Sequence, residues 1–178
     1  SLPVTAELVP VEPFDIVVFG ATGELARRKL IPALFHRWCD NQIPPASRII
    51  AASREPLDPD AYRERAAEFV LGAGAGESRK QRWAEFAQRL QYVSVDAAGE
   101  GPGWRALGDA LDPAADKIRL FYLALPPSIY GQTCEAIAAH GLRTPRSRIV
   151  LEKPIGSDFE SAREINRRVG DATARIVL

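Results

Sequence analysis

The chain has 178 residues, and its 23 Lys and Arg balance its 23 Asp and Glu to a formal net charge of zero. That length gives one domain with a sizeable core, and the charge balance argues against nucleic acid or an anionic membrane as partner. No apolar run approaches the roughly 20 residues that span a bilayer, and no signal-peptide pattern precedes the first apolar run. Cys39 and Cys134 are the only cysteines, far apart and without metal-ligand neighbours. Both read as buried free thiols in helices, so no metal site is expected and a reducing, cytoplasmic setting is favoured. Methionine is absent; Ser1 is therefore no initiator, and the chain is expected to be a trimmed piece.

Residues 1–12 lack periodicity and read as a loose leader to a domain over 13–178. Ile16 to Phe19 is a short apolar run rich in β-formers, as in a strand buried on both faces of a parallel sheet. Gly20, Ala21, Thr22 and Gly23 supply a tight turn. A helix is then expected from about Glu24 to Cys39, with Leu25, Leu30, Ala33 and Leu34 near helical spacing and a kink or early break at Pro32. Arg48 to Ser53 reads as a second strand. A helix from Asp58 to Leu71 is capped by Asp58, with Pro59 at its first position, and the glycines at 72, 74 and 76 end it. Further elements are a helix over Ser78–Leu90, a strand over Tyr92–Val95, and a short helix over Trp104–Leu111. Ile118 to Leu125 is the clearest buried strand after the first, stopped by Pro126 and Pro127. A helix over Ser128–His140, a strand over Arg148–Leu151 and a capped helix over Asp158–Val169 follow. Ala174 to Leu178 begins one more strand.

Strands alternating with helices predict an α/β, Rossmann-like doubly wound parallel sheet. In that architecture ligands bind at the carboxyl ends of the strands. Here those ends carry Gly20–Gly23, Arg54, Asp96, Pro126–Pro127 and Glu152–Lys153–Pro154. Strand, glycine turn and helix together form a phosphate-binding arrangement, in which glycine admits a pyrophosphate and the helix offers free N–H groups. The spacing is G-x-x-G-x-x-A rather than G-x-G-x-x-G, and no Gly-Lys-Ser/Thr closes it as in a P-loop. A turn that needs glycine only for its geometry is the plain alternative. The second strand ends in Arg54, where an NAD enzyme places a carboxylate on the ribose 2′-OH. A guanidinium there suits a 2′-phosphate, with the Thr22 hydroxyl beside it, so NADP is favoured over NAD. Glu55, next door, would repel such a phosphate. His36 and His140 read as structural or solvated, Lys153 as placed for an anionic or hydroxylated substrate, and Tyr130 as either a ring on the coenzyme or a helix-packing ring.

The run from Gly20 to Leu34 resembles the opening motif of the glucose-6-phosphate dehydrogenases, G-A-[ST]-G-D-L-A-x-R-K-L-x-P-[AS]-L. The likeness continues through Ala52–Arg54, Phe121–Pro127, Leu151–Gly156 and the helix from Asp158 to Asn166. The resemblance implies NADP-linked oxidation of glucose 6-phosphate to 6-phosphogluconolactone, in the pentose phosphate pathway. It places the coenzyme on Gly20, Ala21, Thr22, Gly23, Glu24, Leu25, Arg54, Asp96, Pro126, Tyr130 and Lys153. Lys153 and Lys29 would face the substrate, and Pro154 would be a hinge. Glu24 and Ile155 replace the family's usual Asp and Phe. The family's R-I-D-H-Y-L-G-K motif is missing, with Val177 and Leu178 where its Asp and His are expected. The resemblance therefore implies a coenzyme domain without the substrate and dimerisation domain that carries the catalytic Asp–His pair. Such a chain is expected to bind NADP weakly and to be inactive alone, and the full enzyme is expected to be a homo-oligomer. The alternatives are another nicotinamide sugar oxidoreductase, of the glucose–fructose oxidoreductase type, and a non-catalytic nucleotide-binding module.

Overall fold

A computed structural model describes residues 12–151 and the backbone of Ile176 and Val177. Strands β1 (Phe14–Phe19), β2 (Arg48–Ser53), β3 (Leu90–Ser94), β4 (Ile118–Leu123), β5 (Ser147–Leu151) and β6 (Ile176–Val177) form one sheet. All neighbours are parallel, in the order β3-β2-β1-β4-β5-β6. β1 and β4 are buried at every residue, as central strands covered on both faces must be. Alternation sorts their side chains. Phe14, Ile16 and Val18 join one core with Leu30, Leu34, Phe35, Tyr62 and Phe86, under α1 (Ile31–Cys39), α2 (Pro59–Leu71) and α3 (Glu77–Arg89). Val17 and Phe19 join the other with Trp104, Leu107, Phe121 and Ile137, under α4 (Gly103–Ala110) and α5 (Tyr130–Ala139). Helices on both faces make the sheet doubly wound, as the alternation of elements predicts.

Several elements differ from expectation, each for a local reason. The first helix does not break at Pro32. It opens at Glu24, widens into a π turn over Ala26–Leu30, and continues as α1, with the Ile31 N–H bonded to the Ala26 carbonyl. Proline has no N–H to give, and the wide turn places it at the start of a fresh α-helical segment, where none is needed. β3 starts two residues early because Leu90 is fully buried and pairs with Ile49. β4 stops at Leu123, and α5 is preceded by a 3-10 turn over Pro127–Ile129. α2 begins as predicted, with the Asp58 carboxylate accepting from the Ala61 N–H at 2.8 Å. Cys134 is buried but Cys39 only half-buried, at the end of α1. Glu12, placed in the loose leader, is held by Arg146 through contacts of 2.6 and 3.0 Å. The helix expected over Asp158–Val169 lies outside the described residues.

The amino edge of the sheet holds a cluster of buried charge. Asp15 on β1, 1% exposed, meets Lys117 Nζ at 2.6 Å and accepts from the Asp112 N–H at 2.7 Å. Lys117 also reaches the Asp112 carboxylate at 3.1 Å and donates to the Ala46 carbonyl at 2.8 Å. Removing one partner of a buried pair leaves the other charge dry and unmatched. Lys117→Met is therefore expected to destabilise the fold by about 3–5 kcal/mol in urea unfolding, and adding Asp15→Asn should recover part of that loss.

Candidate coenzyme site at the carboxyl edge

The strand order reverses between β1 and its two neighbours: β1 leads through α1 to β2 on one side, while β4 lies on the other. Connections leave that point in opposite directions, which opens a crevice at the carboxyl ends. Gly20 stands there. Its φ is +78°, and a Cβ would come within 2.0 Å of the Ala124 carbonyl oxygen at the end of β4. Glycine is required twice over, for the backbone conformation and for the close approach. The Ala21 N–H then donates to the Ala52 carbonyl of β2 at 3.0 Å, and the Gly23 N–H to the Gly20 carbonyl at 2.9 Å. These bonds fold the chain back over the ends of three adjacent strands.

The helix begins directly after this turn, at Glu24. Its first N–H groups lack intrahelical acceptors by construction. Among the described residues no backbone hydrogen bond engages the amides of Thr22, Glu24 or Leu25. Gly23 and Glu24 are exposed and Thr22 and Leu25 half-exposed, whereas Ala21 is fully buried. Open amides, a positive helix end and a glycine without a side chain fit a pyrophosphate. The Glu24 carboxylate pairs with Arg28 at 2.9 Å, one turn along the exposed face. Lys29, on the π turn, is also exposed.

At the exit of β2, Arg54 is exposed and its side chain has no ion pair or hydrogen bond among the described residues. Glu55, expected to repel a phosphate here, is instead drawn to Arg65 of α2 at 2.6 Å. Beyond β3, Asp96 is half-exposed; its carboxylate accepts from the Ala98 N–H, and its carbonyl accepts from the Trp104 indole at 2.8 Å. Pro126 is exposed beyond β4. Tyr130, the first residue of α5, is 2% exposed and packs in the core on that face of the sheet. His36 is exposed on α1, and His140 stacks on Trp104 at 4.9 Å. Lys153 and Pro154 lie outside the described residues.

The residues that fix this edge include several that sequence reasoning passed over. Tyr62 of α2 donates its hydroxyl to the buried Ala21 carbonyl at 3.0 Å, and its ring stacks on Tyr92 at 4.9 Å. Tyr92 closes a ring of bonds around the exit of β2. The Glu55 N–H donates to Ser53 Oγ, Ser53 Oγ lies 2.6 Å from the Tyr92 hydroxyl, and that hydroxyl donates to the Glu55 carbonyl at 2.6 Å. The spacing of Tyr62, Ala66 and Val70 marks the buried face of α2. Nothing in it marks the hydroxyl's partner, 41 residues away across the sheet.

A model of the "Glucose-6-phosphate dehydrogenase, NAD binding domain" matches residues 17–175. The chain belongs to the glucose-6-phosphate dehydrogenase family. It is 46% identical over 167 residues to the glucose-6-phosphate 1-dehydrogenase of Rhizobium meliloti, covering 93% of this chain and 34% of that protein. To the glucose-6-phosphate 1-dehydrogenase of Gluconobacter oxydans it is 45% identical, covering 90% of this chain and 33% of that one. A solved glucose-6-phosphate dehydrogenase in complex with glucose 6-phosphate superposes with a TM-score of 0.78 at 27% identity, over 94% of this chain and 36% of that one. The chain thus spans about a third of the length of the relatives it matches.

Two outcomes are expected of this edge. Gly20→Ala should cost roughly 2–5 kcal/mol in denaturant unfolding, from backbone strain together with the clash against Ala124. Alkali should also loosen it. Burial, then the neighbouring phenol Tyr92, raises the pKa of Tyr62, and burial likewise raises that of Tyr92. A raised folded-state value means stability that is complete below the unfolded value of about 10 and lost as pH climbs through the folded values. Phenolate absorbance and unfolding should therefore rise together above about pH 10, and Tyr62→Phe should blunt that dependence.

Proposed function

We propose that this chain is the coenzyme-binding part of a cytoplasmic, homo-oligomeric glucose-6-phosphate dehydrogenase, seating NADP along the carboxyl edge while glucose 6-phosphate is oxidised at carbon one to 6-phosphogluconolactone. The observation that carries this reading is the pairing of the Gly20 turn with the uncommitted Arg54 guanidinium, in a chain of this family. The open amides of Thr22, Glu24 and Leu25 hold the pyrophosphate, with Gly20, Ala21 and Gly23 shaping the turn and Glu24 at the helix entrance. Arg54 takes the adenosine 2′-phosphate in a forked, charge-assisted contact, and the Thr22 hydroxyl adds a donor. Asp96 and Pro126 flank the adenosine and the far wall. Lys153 and Lys29 receive the sugar phosphate, and Pro154 is the hinge between the two halves of the pocket. The relative whose structure is described with glucose 6-phosphate supports the choice of substrate.

When bound, NADP supplies the hydride acceptor, and the part left to these residues is to hold two anionic molecules in line. Calorimetric titration with NADP and with NAD tests the assignment. The chain should prefer NADP, and Arg54→Ala should remove about 1.5–3 kcal/mol of NADP binding while leaving NAD nearly unchanged. Binding of neither coenzyme, or an equal loss of both in Arg54→Ala, overturns the reading.

A further inference from the structure

The exit of β2 carries a guanidinium and a carboxylate on consecutive exposed residues, Arg54 and Glu55, and the two favour different coenzymes. A carboxylate here accepts from a ribose 2′-OH and repels a 2′-phosphate; a guanidinium does the reverse. Glu55 cannot drift away from its neighbour, because its backbone is bonded on both sides. Its N–H donates to Ser53 Oγ at 3.2 Å, and its carbonyl accepts from the Tyr92 hydroxyl at 2.6 Å and the Leu57 N–H at 2.9 Å. What can vary is the direction of its carboxylate. Arg65 sets that direction, with Nη1 2.6 Å from Glu55 Oε2. It lies on α2 three residues beyond Tyr62, on the helical face whose Tyr62 hydroxyl holds the glycine turn.

We propose that Arg65 is a specificity-determining residue for the coenzyme: by capturing the Glu55 carboxylate it neutralises the group that would select NAD and leaves Arg54 alone to select NADP. The inference rests on the reading of this edge as an NADP site. Both partners are substantially exposed, at 35% and 46% of their side chains, so the pair adds little to folding stability. Its effect lies in the charge presented to the ligand. Beside Arg54, the pair contributes a net charge of zero. Without Arg65 it becomes −1, directly next to the place where a phosphate carrying up to two negative charges must sit. Without the Glu55 charge it becomes +1. The repulsive element that would favour NAD is therefore present in the sequence and held in check by one side chain.

Four forms of the chain distinguish this from a packing role: the natural one, Arg65→Ala, Glu55→Gln and the double variant, each titrated with NADP and NAD. Arg65→Ala is expected to bind NADP about tenfold more weakly at low salt and NAD as well as or better than before. Glu55→Gln should tighten NADP. The double variant restores the net charge of zero and should return NADP affinity to within about threefold of the natural chain. Raising the salt should shrink the Arg65→Ala defect, since the groups involved are exposed. An equal loss of both coenzymes in Arg65→Ala, or no loss, overturns the proposal. So does an NADP loss that Glu55→Gln fails to rescue, since Arg65 would then act on the phosphate itself. Failure of the natural chain to bind either coenzyme sinks the NADP reading and this inference with it. Binding with an Arg65-independent preference sinks this inference alone.

Discussion

The carboxyl edge depends on the missing side chain of Gly20. The end of β1 passes so close to the carbonyl of Ala124 that no other residue fits without displacing backbone. From that approach the rest follows. The turn can fold back onto β2 through the Ala21 N–H, the helix can begin immediately after it, and its first amides are left facing the opening between diverging connections. Were the turn wider, those amides would move away from the Arg54 side of the crevice. The family's chemistry needs both at once, because NADP carries its negative charge at two places, the pyrophosphate and the adenosine 2′-phosphate.

The turn is braced from behind rather than from the front. Tyr62 holds its carbonyl, Tyr92 holds the exit of β2, and the two rings stack. Both phenols are enclosed, and enclosure makes their hydroxyls strong, neutral donors in a setting where an unmet carbonyl is costly. The solvent side of the edge is thereby left to exposed charged groups, Arg54 and Glu24 among them. The buried charge of the molecule sits at the opposite end of the sheet, on Asp15 and Lys117. Stability and ligand charge are thus kept apart along the strand axis.

Much of the fold was legible because its signals are local. Apolar runs mark the central strands, Asp58 with Pro59 marks the start of α2, and Gly20 followed by Gly23 marks the turn. The readings that shifted involve competition between distant segments. Pro32 suggests a break, yet the chain absorbs it by widening the preceding turn, since Leu30, Ile31 and Leu34 are all buried in the core. Glu55 reads as a threat to a phosphate because its partner, Arg65, lies ten residues away on another element. A residue's type states what it can do; which of its options is taken depends on neighbours brought in by the fold.

The π turn over Ala26–Leu30 has a mechanical side. An α-helix is a stiff screw, so each residue's bearing about the axis is locked to every other's at about 100° per step. A continuous screw from the glycine turn to Cys39 would tie the bearing of the first amides to that of Leu34 and Phe35 in the core. The wide turn interrupts the thread. The segment near the crevice and the segment in the core can each take the bearing its surroundings demand, and Lys29 rides on the joint between them. The helix therefore takes two bearings along its length, one toward the crevice and one toward the core.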